Sequence, residues 1–192
     1  MAEYDGFLTS NDVRTGYISG ATFKNKPVTY EAVNGLAVFE GCIVLGTVEE
    51  MERRAAMVQA GTDADIERGV AITGDQYRWP NGVMPYSIDS SLPNQSRVTG
   101  AIQHWEQNTA IRFVLRTSAN ASQYPDYVYF TSAGGCWSEV GRRTGRQDLS
   151  LDTGCSMGNA IHEIGHALGL WHEQSREDRN SFVRIRYENI EA

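Results

Sequence analysis

Histidine is distributed unevenly along this 192-residue chain, and that distribution constrains the fold more than any other feature. Three of the four histidines, His162, His166 and His172, fall within the stretch HEIGHALGLWH. In an α-helix, two residues that are four positions apart lie about 40° from each other on one face. The stretch therefore predicts a helix over 157–169 that presents two histidines on one side. The other side is apolar and carries Ala160, Ile161, Ile164 and Leu168.

A metal-binding site is the function that this histidine pattern favours. Gly169 can end the helix in the left-handed conformation, so that the chain turns back and brings His172 to the same ion as the helical pair. Zn²⁺ suits three nitrogen ligands, and an open fourth position holds a water whose pKa falls to about 7. Glu163 is the natural general base for that water. A histidine pair alone would equally fit a surface coincidence or a structural metal site, but the full pattern H-E-x-x-H-x-x-G-x-x-H predicts one catalytic zinc per chain, bound by His162, His166 and His172.

Composition and charge exclude several classes of partner. The formal net charge of −7 argues against a surface for nucleic acid or for an anionic membrane. No apolar run approaches the roughly 20 residues that a membrane-spanning helix needs, so we expect no membrane insertion. The opening MAEYDGFLTS lacks the basic and apolar regions of a signal peptide, so either a signal was removed or export follows another route.

The first third of the chain predicts two short strands and raises the question of an odd thiol. In VTYEAVNGLAVFEG an apolar alternation is interrupted by Asn34-Gly35, a dipeptide typical of tight turns, and Cys42 is predicted at the end of the second strand. The chain has three cysteines, Cys42, Cys136 and Cys155. If the later two pair with each other, Cys42 is left over and needs an explanation.

A helix and a linker are predicted next. Thr47 and Glu50 match a capping box ahead of apolar residues at helical spacing, which predicts a helix over about 47–59. The polar stretch at about 59–68 has no periodicity and is interpreted as a linker that ends at Arg68.

From residue 69 onward the pattern changes to alternating strands and helices. Strands are predicted at 83–88, 111–115 and 126–131, the last two buried, and a helix is predicted at 98–108. The order of strand, helix, strand, strand and long helix predicts an α+β fold with a mixed or antiparallel sheet.

Beyond the histidine pattern, the chain resembles the astacin family of metzincin zinc endopeptidases. The similarity continues through HEIGHALGLWHEQSREDRN, and GDQYRWPNGVMPYSI is similar to the start of the family's mature enzymes. GGCWSEVGRRTGRQDLSL is similar to the edge strand of the family's sheet, and VTYEAVNGLAVFEG resembles its inhibitory pro-segment. The resemblance implies a pro-segment at 1–68 and, at 69–192, the N-terminal part of a catalytic domain. That part is expected to contain a twisted mixed sheet and two long helices, the second of which carries the zinc motif.

Several residue roles are implied by the resemblance. Cys136 and Cys155 match a disulfide of the family, which suits an oxidising compartment and a secreted protein; the alternative is two reduced buried thiols. The edge strand around Trp137 and Ser138 is expected to bind a peptide or protein substrate as an added antiparallel strand, although Trp137 would also fit simple core packing. Glu173 resembles the acid that meets the new N-terminus after pro-segment removal, and it is otherwise a solvated charge.

Two departures from the family pattern bear on function. Ala110 stands where many members have a cysteine, so a second disulfide of the family is absent. No methionine follows His172, so the family's Met-turn and its tyrosine are missing and the chain is expected to be truncated. The leading hypothesis is a zinc endopeptidase zymogen with Glu163 as general base. The alternatives are a zinc- and peptide-binding fragment that cannot turn over and, with less support, another metzincin branch.

The resemblance also suggests a role for Cys42. Pro-segments of the family resemble FEGCIVLG but usually carry an aspartate at this position, and that aspartate occupies the metal position that the catalytic water needs. A thiolate can do the same, so Cys42 is predicted to be the fourth zinc ligand of the latent form. The alternative is a buried free cysteine or an intermolecular disulfide. Activation is expected to cut the linker near Arg68 to Val70.

Overall fold

The computed structural model describes residues 6–20, 23–62, 75–175, 179–181, 184–186 and 188. These residues form one nine-stranded mixed sheet and three α-helices. The helices are α1 (Val48–Gln59), α2 (Ser96–Asn108) and α3 (Met157–Leu168). The strands are β1 (Val13–Gly20), β2 (Phe23–Val33), β3 (Leu36–Phe39), β4 (Ile43–Thr47), β5 (Val83–Ile88), β6 (Arg112–Leu115), β7 (Tyr127–Thr131), β8 (Cys136–Glu139) and β9 (Arg146–Leu151). Their order across the sheet is β1-β2-β3-β4-β8-β9-β7-β5-β6.

The amino-terminal region, residues 6–62, folds as an antiparallel run of β1 to β4 followed by α1. The predicted tight turn is confirmed, because Asn34 and Gly35 join β2 to β3 with φ values of 51° and 82°. The predicted helix is confirmed with its capping box, in which the Thr47 hydroxyl accepts from the Glu50 N–H at 3.2 Å. The position predicted for Cys42 is wrong, since it lies in the loop between β3 and β4 and not at the end of a strand.

That loop has a conformation that the apolar pattern could not reveal. Glu40 and Gly41 both have positive φ values, 51° and 80°, in the left-handed region that ordinary residues avoid. The two residues reverse the chain between β3 and β4 and leave Cys42 immediately before β4. The side chain of Cys42 is 1% exposed.

The sheet passes from one region of the chain to the other through a short parallel ladder. β4 pairs with β8 through Ile43 opposite Ser138 and Val44 opposite Glu139. β8 then pairs with β9 in the antiparallel direction, whereas β9, β7, β5 and β6 run parallel to one another. The amino-terminal region therefore forms four strands of the same sheet that carries the rest of the molecule.

In the carboxy-terminal region, residues 75–188 where described, α2 and α3 pack against each other over the parallel strands. Two tryptophan side chains hold α3 in place by hydrogen bonds to its backbone. Trp79 Nε1–H donates to the carbonyl of Ala167 at 2.8 Å, and Trp105 Nε1–H donates to that of Ile161 at 3.1 Å. The predicted strand at 111–115 exists as β6, but it is the last strand of the sheet and Leu115 is exposed, so its prediction as a buried strand is wrong.

Both ends of α3 are set by nearby residues, and the sequence predicted its C-terminal end. Ser156 and Asn159 form a capping box at its start, and Gly169 ends it with φ 110°, as predicted. A second anchor is the buried guanidinium of Arg97 on α2, which donates to the carbonyls of Leu151 at 2.7 Å and Cys155 at 2.6 Å. The loop from β9 into α3 is thereby fixed from both sides. No helix among the described residues is long and apolar enough to span a membrane.

Candidate metal centre and peptide-binding edge

Four side chains from three parts of the chain converge on one point. The sulfur of Cys42 lies 3.6 Å from Nε2 of His162, 3.5 Å from Nε2 of His166 and 3.2 Å from Nε2 of His172. Nε2 of His162 lies 3.0 Å from that of His166 and 3.2 Å from that of His172. All four ligand atoms lie within 4.8 Å of one another. Two of them come from α3, one from the loop after it and one from the loop before β4.

The outer nitrogens of two of these rings have acceptors that fix which nitrogen faces the centre. Nδ1–H of His166 donates to the carbonyl of Leu170 at 2.7 Å, and Nδ1–H of His172 donates to a carboxylate oxygen of Glu40 at 2.6 Å. Glu40 also accepts a hydrogen bond from the hydroxyl of Ser175. Acceptors of this kind hold metal-binding histidines in one tautomer and orientation. The Nε2 lone pairs are therefore free to act as ligands.

Five of the six distances among the four ligand atoms fit a tetrahedral ion, and the sixth, between Nε2 of His166 and of His172, is at most 4.8 Å. With Zn–N near ~2.05 Å and Zn–S near ~2.3 Å, ideal tetrahedral ligands lie roughly 3.3 Å apart for two nitrogens and about 3.6 Å for nitrogen and sulfur. The nitrogen pairs given above lie at 3.0 and 3.2 Å, and the sulfur lies 3.2 to 3.6 Å from the nitrogens. Imidazole and thiolate are also the donor types that Zn²⁺ prefers.

The protonation states suit metal binding at neutral pH. Burial lowers the pKa of His166 to about 4, and it also lowers the pKa of His162, so these rings are neutral. Burial disfavours the charged form of Glu40, but hydrogen bonds from His172 and Ser175 outweigh it, and the pKa of Glu40 is lowered overall. Burial raises the pKa of the Cys42 thiol, to which the nearby carboxylates of Glu163 and Glu40 add. A bound dication reverses this last effect and holds the sulfur as thiolate.

Glu163 lies next to the cluster without belonging to it. Its side chain is 1% exposed, and its Oε2 has no hydrogen-bond partner among the described residues. Burial raises the pKa of Glu163 to about 9. A buried carboxyl with an unpartnered oxygen beside a ligand cluster is the arrangement expected for a group that exchanges protons there.

β8, which was predicted to be the edge strand, lies beside the cluster and is paired on both sides, with β9 and with β4. The N–H of Ser138 donates to the carbonyl of Cys42 at 3.1 Å, while the Ser138 hydroxyl donates to the carbonyl of Glu139 at 2.8 Å. Trp137 is buried, and its indole N–H donates to the carbonyl of Gly134 at 2.9 Å. The backbone groups of β8 that we expect to bind substrate thus bind the amino-terminal region.

A disulfide joins this edge to the metal-binding helix. The structure contains a bond between Cys136, the first residue of β8, and Cys155, which directly precedes the N-cap of α3. Cys42 is the free cysteine of the described residues and is buried. The odd thiol is therefore neither in a disulfide with the other two cysteines nor exposed.

Two residues singled out in the sequence are not described fully. Arg68 lies outside the described residues, as does the proposed cut after it. The backbone of Glu173 begins a short 3₁₀ helix, Glu173–Ser175, directly after His172, but its side chain is outside what the structure describes. His104 is exposed on α2 and takes no part in the cluster.

Sequence reasoning missed two residues that hold the site together. Glu40 accepts from His172, which is far away along the chain, and Arg97 fixes the loop that leads into α3. Both are ordinary charged residues in the sequence, and only their burial or their position in a strained turn marks them. The position of Glu40 beside a glycine in FEGC was the one available signal.

Comparisons with known proteins place this geometry in a family. The family model of Astacin, a peptidase family, matches residues 71–192. The chain is 42% identical to Protein SpAN of Strongylocentrotus purpuratus over 172 residues, which are 87% of this chain and 28% of that protein. It is 45% identical to Zinc metalloproteinase nas-8 of Steinernema carpocapsae over 139 residues, 69% of this chain and 32% of that protein.

A solved structure agrees with these matches. High choriolytic enzyme 1, a hatching enzyme zinc-protease from Oryzias latipes, superposes with a TM-score of 0.51 at 40% identity and covers 62% of both chains. The chain spans about a third or less of the length of these two curated relatives. Because the family model covers 122 residues, 71 through 192, and these include all three histidines of the cluster, the chain belongs to the astacin family of zinc peptidases.

Proposed function

We propose that this chain is part of a secreted zinc endopeptidase, held in a latent form by residues 1–68. The observation that carries the proposal is the convergence of the Cys42 sulfur with three histidine nitrogens, at 3.2 to 3.6 Å. Three histidines leave a zinc coordination position open for catalysis, and a fourth protein ligand closes it. The cofactor of the site is Zn²⁺, and its ligands in the latent form are Cys42, His162, His166 and His172.

In the active form, the chain's own residues divide the work of peptide hydrolysis. Zn²⁺, when bound, supplies Lewis acidity and lowers the pKa of the water that it holds. Glu163 accepts the proton of the attacking water and then delivers it to the leaving nitrogen, since its free oxygen lies beside the site without acting as a ligand. β8 binds the substrate backbone as an added strand, so that binding depends little on substrate side chains.

In this proposal two contacts cause latency: Cys42 binds the zinc, and β4 covers the substrate-binding side of β8. The thiolate of Cys42 fills the position that the water needs. β4 fills the edge of β8, and it does so in the parallel direction, opposite to the antiparallel direction expected for a substrate. A peptide that lies in the reverse direction presents its bonds to the site with donors and acceptors exchanged, so the amino-terminal region can occupy the cleft without being cut.

The proposed boundary between inhibitor and enzyme lies between α1 and the first 3₁₀ helix of the carboxy-terminal region, Asp75–Tyr77. The family match beginning at residue 71 and the polar composition of the stretch before it support a cut near Arg68 to Val70. N-terminal sequencing of the activated protein tests this boundary, and a first residue within 37–58 contradicts it.

The proposed function is tested with cysteine variants of the complete protein that contains this chain. The Cys42→Ala zymogen should hydrolyse a protein substrate before any cleavage of the linker, whereas Cys42→Asp should stay latent because a carboxylate can also occupy the zinc. Zinc content should remain one per chain in both. If Cys42→Ala is as silent as the parent, the thiol is dispensable for latency.

A second pair of variants tests the catalytic role. Glu163→Gln should lower hydrolysis by the activated protein by about 10²- to 10⁴-fold, the usual contribution of a general base, without loss of zinc. His104→Gln is the matched control, because His104 is exposed and takes no part in the cluster. Retained hydrolysis in Glu163→Gln contradicts the assignment. Absence of hydrolysis from every activated form favours the zinc- and peptide-binding alternative.

A further inference from the structure

Two segments of the amino-terminal region, far apart in sequence, accept hydrogen bonds from the same side of β8. Residues two apart in a strand direct their N–H groups to the same side, so Cys136 and Ser138 present the two edge donors of this strand. Ser138 N–H donates to the carbonyl of Cys42 at 3.1 Å, and Cys136 N–H donates to the carbonyl of Gly6 at 2.8 Å. The second acceptor does not belong to the β4 segment at all.

The segment Gly6–Leu8 is tied to the Cys42 loop as well as to β8. The N–H of Leu8 donates to the carbonyl of Gly41 at 2.8 Å. This segment, in which Gly6 has a φ of 77°, therefore bridges the start of β8 and the loop that supplies the zinc-directed thiol. Gly6 is buried and Leu8 is half-buried, whereas Phe7 is 51% exposed.

Two glycines make room for this segment. A Cβ at Gly135 would lie 2.9 Å from Cδ2 of Leu8 and 3.1 Å from the carbonyl oxygen of Gly6. A Cβ at Gly41 would lie 2.7 Å from Cδ1 of Phe7. The segment is thus packed directly on the glycine backbone at both positions, and a side chain at either glycine would block this close approach.

We propose that Cys136 N–H and the floor at Gly135 form a peptide-binding subsite of the cleft, and that Gly6–Leu8 is a second inhibitory plug that fills it. The proposal rests on the proposed function in that the cleft is taken to bind substrate. The partner is a peptide whose main-chain carbonyl accepts from Cys136 N–H and whose aliphatic side chain lies over Gly135, here those of Gly6 and Leu8. The plug acts beside the metal and independently of the thiol.

Two consequences separate this plug from the Cys42 ligand. Loss of the Cys42 thiol leaves the Cys136 N–H bonded to Gly6, so the thiol alone does not control access of a peptide to both N–H donors of β8. Loss of Gly6–Leu8 uncovers Cys136 and leaves Ser138 bonded to Cys42. The two pieces are therefore expected to contribute separately to latency.

The test is amide hydrogen exchange, resolved by NMR, on the 192-residue chain with zinc. Deletion of residues 1–8 should speed exchange of the Cys136 amide by about tenfold or more, the effect of losing one protecting hydrogen bond, and leave Ser138 at its parental rate. Leu8→Asp should do the same in the full chain if the deletion impairs folding. Leu115→Asp, at an exposed leucine on the far edge strand, is the matched control and should leave Cys136 protected.

A trans experiment completes the test. A synthetic peptide of residues 4–12, added to the deleted protein, should restore protection at Cys136, and the same peptide with Leu8→Asp should not. Parental exchange at Cys136 in both the deletion and Leu8→Asp overturns the plug. Accelerated exchange that the peptide does not reverse overturns the subsite. Because this readout does not involve hydrolysis, it stands or falls separately from the enzymatic proposal.

Discussion

The two hydrophobic cores of the molecule differ in how far each depends on the other region. The core over the parallel strands has all its buried residues between 79 and 167, among them Met84, Val128, Phe130 and Leu149. The smaller core under α1 consists of amino-terminal residues together with Val140, and it also packs against Trp171. The larger core is therefore complete without the amino-terminal region, whereas the smaller one borrows from the region that it covers.

Besides the shared packing at Val140 and Trp171, the contacts that join the two regions lie at the ligand cluster and along β8. The β4–β8 ladder has two residue pairs, and beside it stand the Cys42 cluster, the Glu40 contact and the Gly6–Leu8 contact. If the amino-terminal region is the inhibitor that we propose, it can leave without unfolding the larger core. The difference between the cores indicates a detachable unit on a self-sufficient one, and four experiments test that view.

The largest effect is expected from removing the metal. Structural zinc with four protein ligands contributes on the order of 10 kcal/mol of apparent binding free energy at neutral pH. Chelation, or His166→Ala, should therefore expose the amino-terminal region to rapid exchange and proteolysis while Leu149 and its neighbours stay protected. Hydrogen exchange with mass spectrometry measures both regions at once.

The control for metal removal is His104→Ala, which should keep one zinc per chain and parental exchange. Equal loss of protection in both cores after chelation would show that they form one cooperative unit, and would break the comparison.

A matched pair of leucine truncations gives the next largest effect. Leu149→Ala in the larger core and Leu45→Ala in the smaller core each remove a buried side chain and should cost about 2–5 kcal/mol. Leu149→Ala should destabilise both regions, because the smaller core includes Val140 and packs against Trp171, both from the region that contains the larger core. Leu45→Ala should destabilise the amino-terminal region alone.

Urea unfolding followed by hydrogen exchange distinguishes the two variants. Faster exchange throughout α2 and α3 in Leu45→Ala would contradict a self-sufficient larger core.

Removing the carboxylate of Glu40 should loosen the third histidine. Glu40→Ala takes away the acceptor of His172 Nδ1–H and is expected to weaken zinc binding by the 192-residue chain by roughly 10- to 100-fold. Glu40→Gln keeps an acceptor oxygen and should lose less. Competition with a metal-binding dye measures the affinity, and Glu31→Ala on β2 serves as control. Unchanged affinity in Glu40→Ala would leave Glu40 as a turn residue only.

The smallest expected effect is on how stability depends on pH, through Glu139 in the ladder between β4 and β8. Burial raises the pKa of Glu139, which Arg143 partly offsets, so the folded carboxyl binds a proton more readily than the unfolded one, whose usual pKa is 4.5. The folded state therefore holds more protons in the window above that value, and its stability falls as pH rises through the window. Glu139→Gln lacks this contribution and should gain stability relative to the parent over the same rise. Chemical denaturation at several pH values measures the difference, and a constant difference contradicts the proposed cause.

The local parts of the fold were predictable because their causes are local. α3, its end at Gly169 and the capping box at Thr47 depend on neighbours within a few residues. The hairpin at Asn34-Gly35 depends on a dipeptide with a strong turn preference. β1 and the first half of β2 were not predicted, because their pairing places polar and apolar residues without clear alternation and includes Pro27.

The parts of the site that escaped prediction are those made by long-range contacts. The histidine ligands share one pattern, so the sequence pointed to them, and the family resemblance pointed to Cys42. Glu40, Arg97 and Gly6 act through contacts with residues distant along the chain, and no spacing rule connects them to their partners. The contacts of Glu40 and Gly6 both lie beside the β4–β8 ladder, which itself joins distant parts of the chain.

The disulfide between Cys136 and Cys155 has a consequence for accuracy. It ties the strand along which a peptide is expected to lie to the start of the helix that carries two of the metal ligands. An enzyme that binds its substrate mainly through main-chain hydrogen bonds has few side-chain contacts that select the bond to be cleaved. In the function that we propose, the disulfide would keep the peptide-binding strand at a fixed distance from the metal site, so the cleaved bond would lie at a constant distance from the main-chain hydrogen bonds even when the substrate sequence changes.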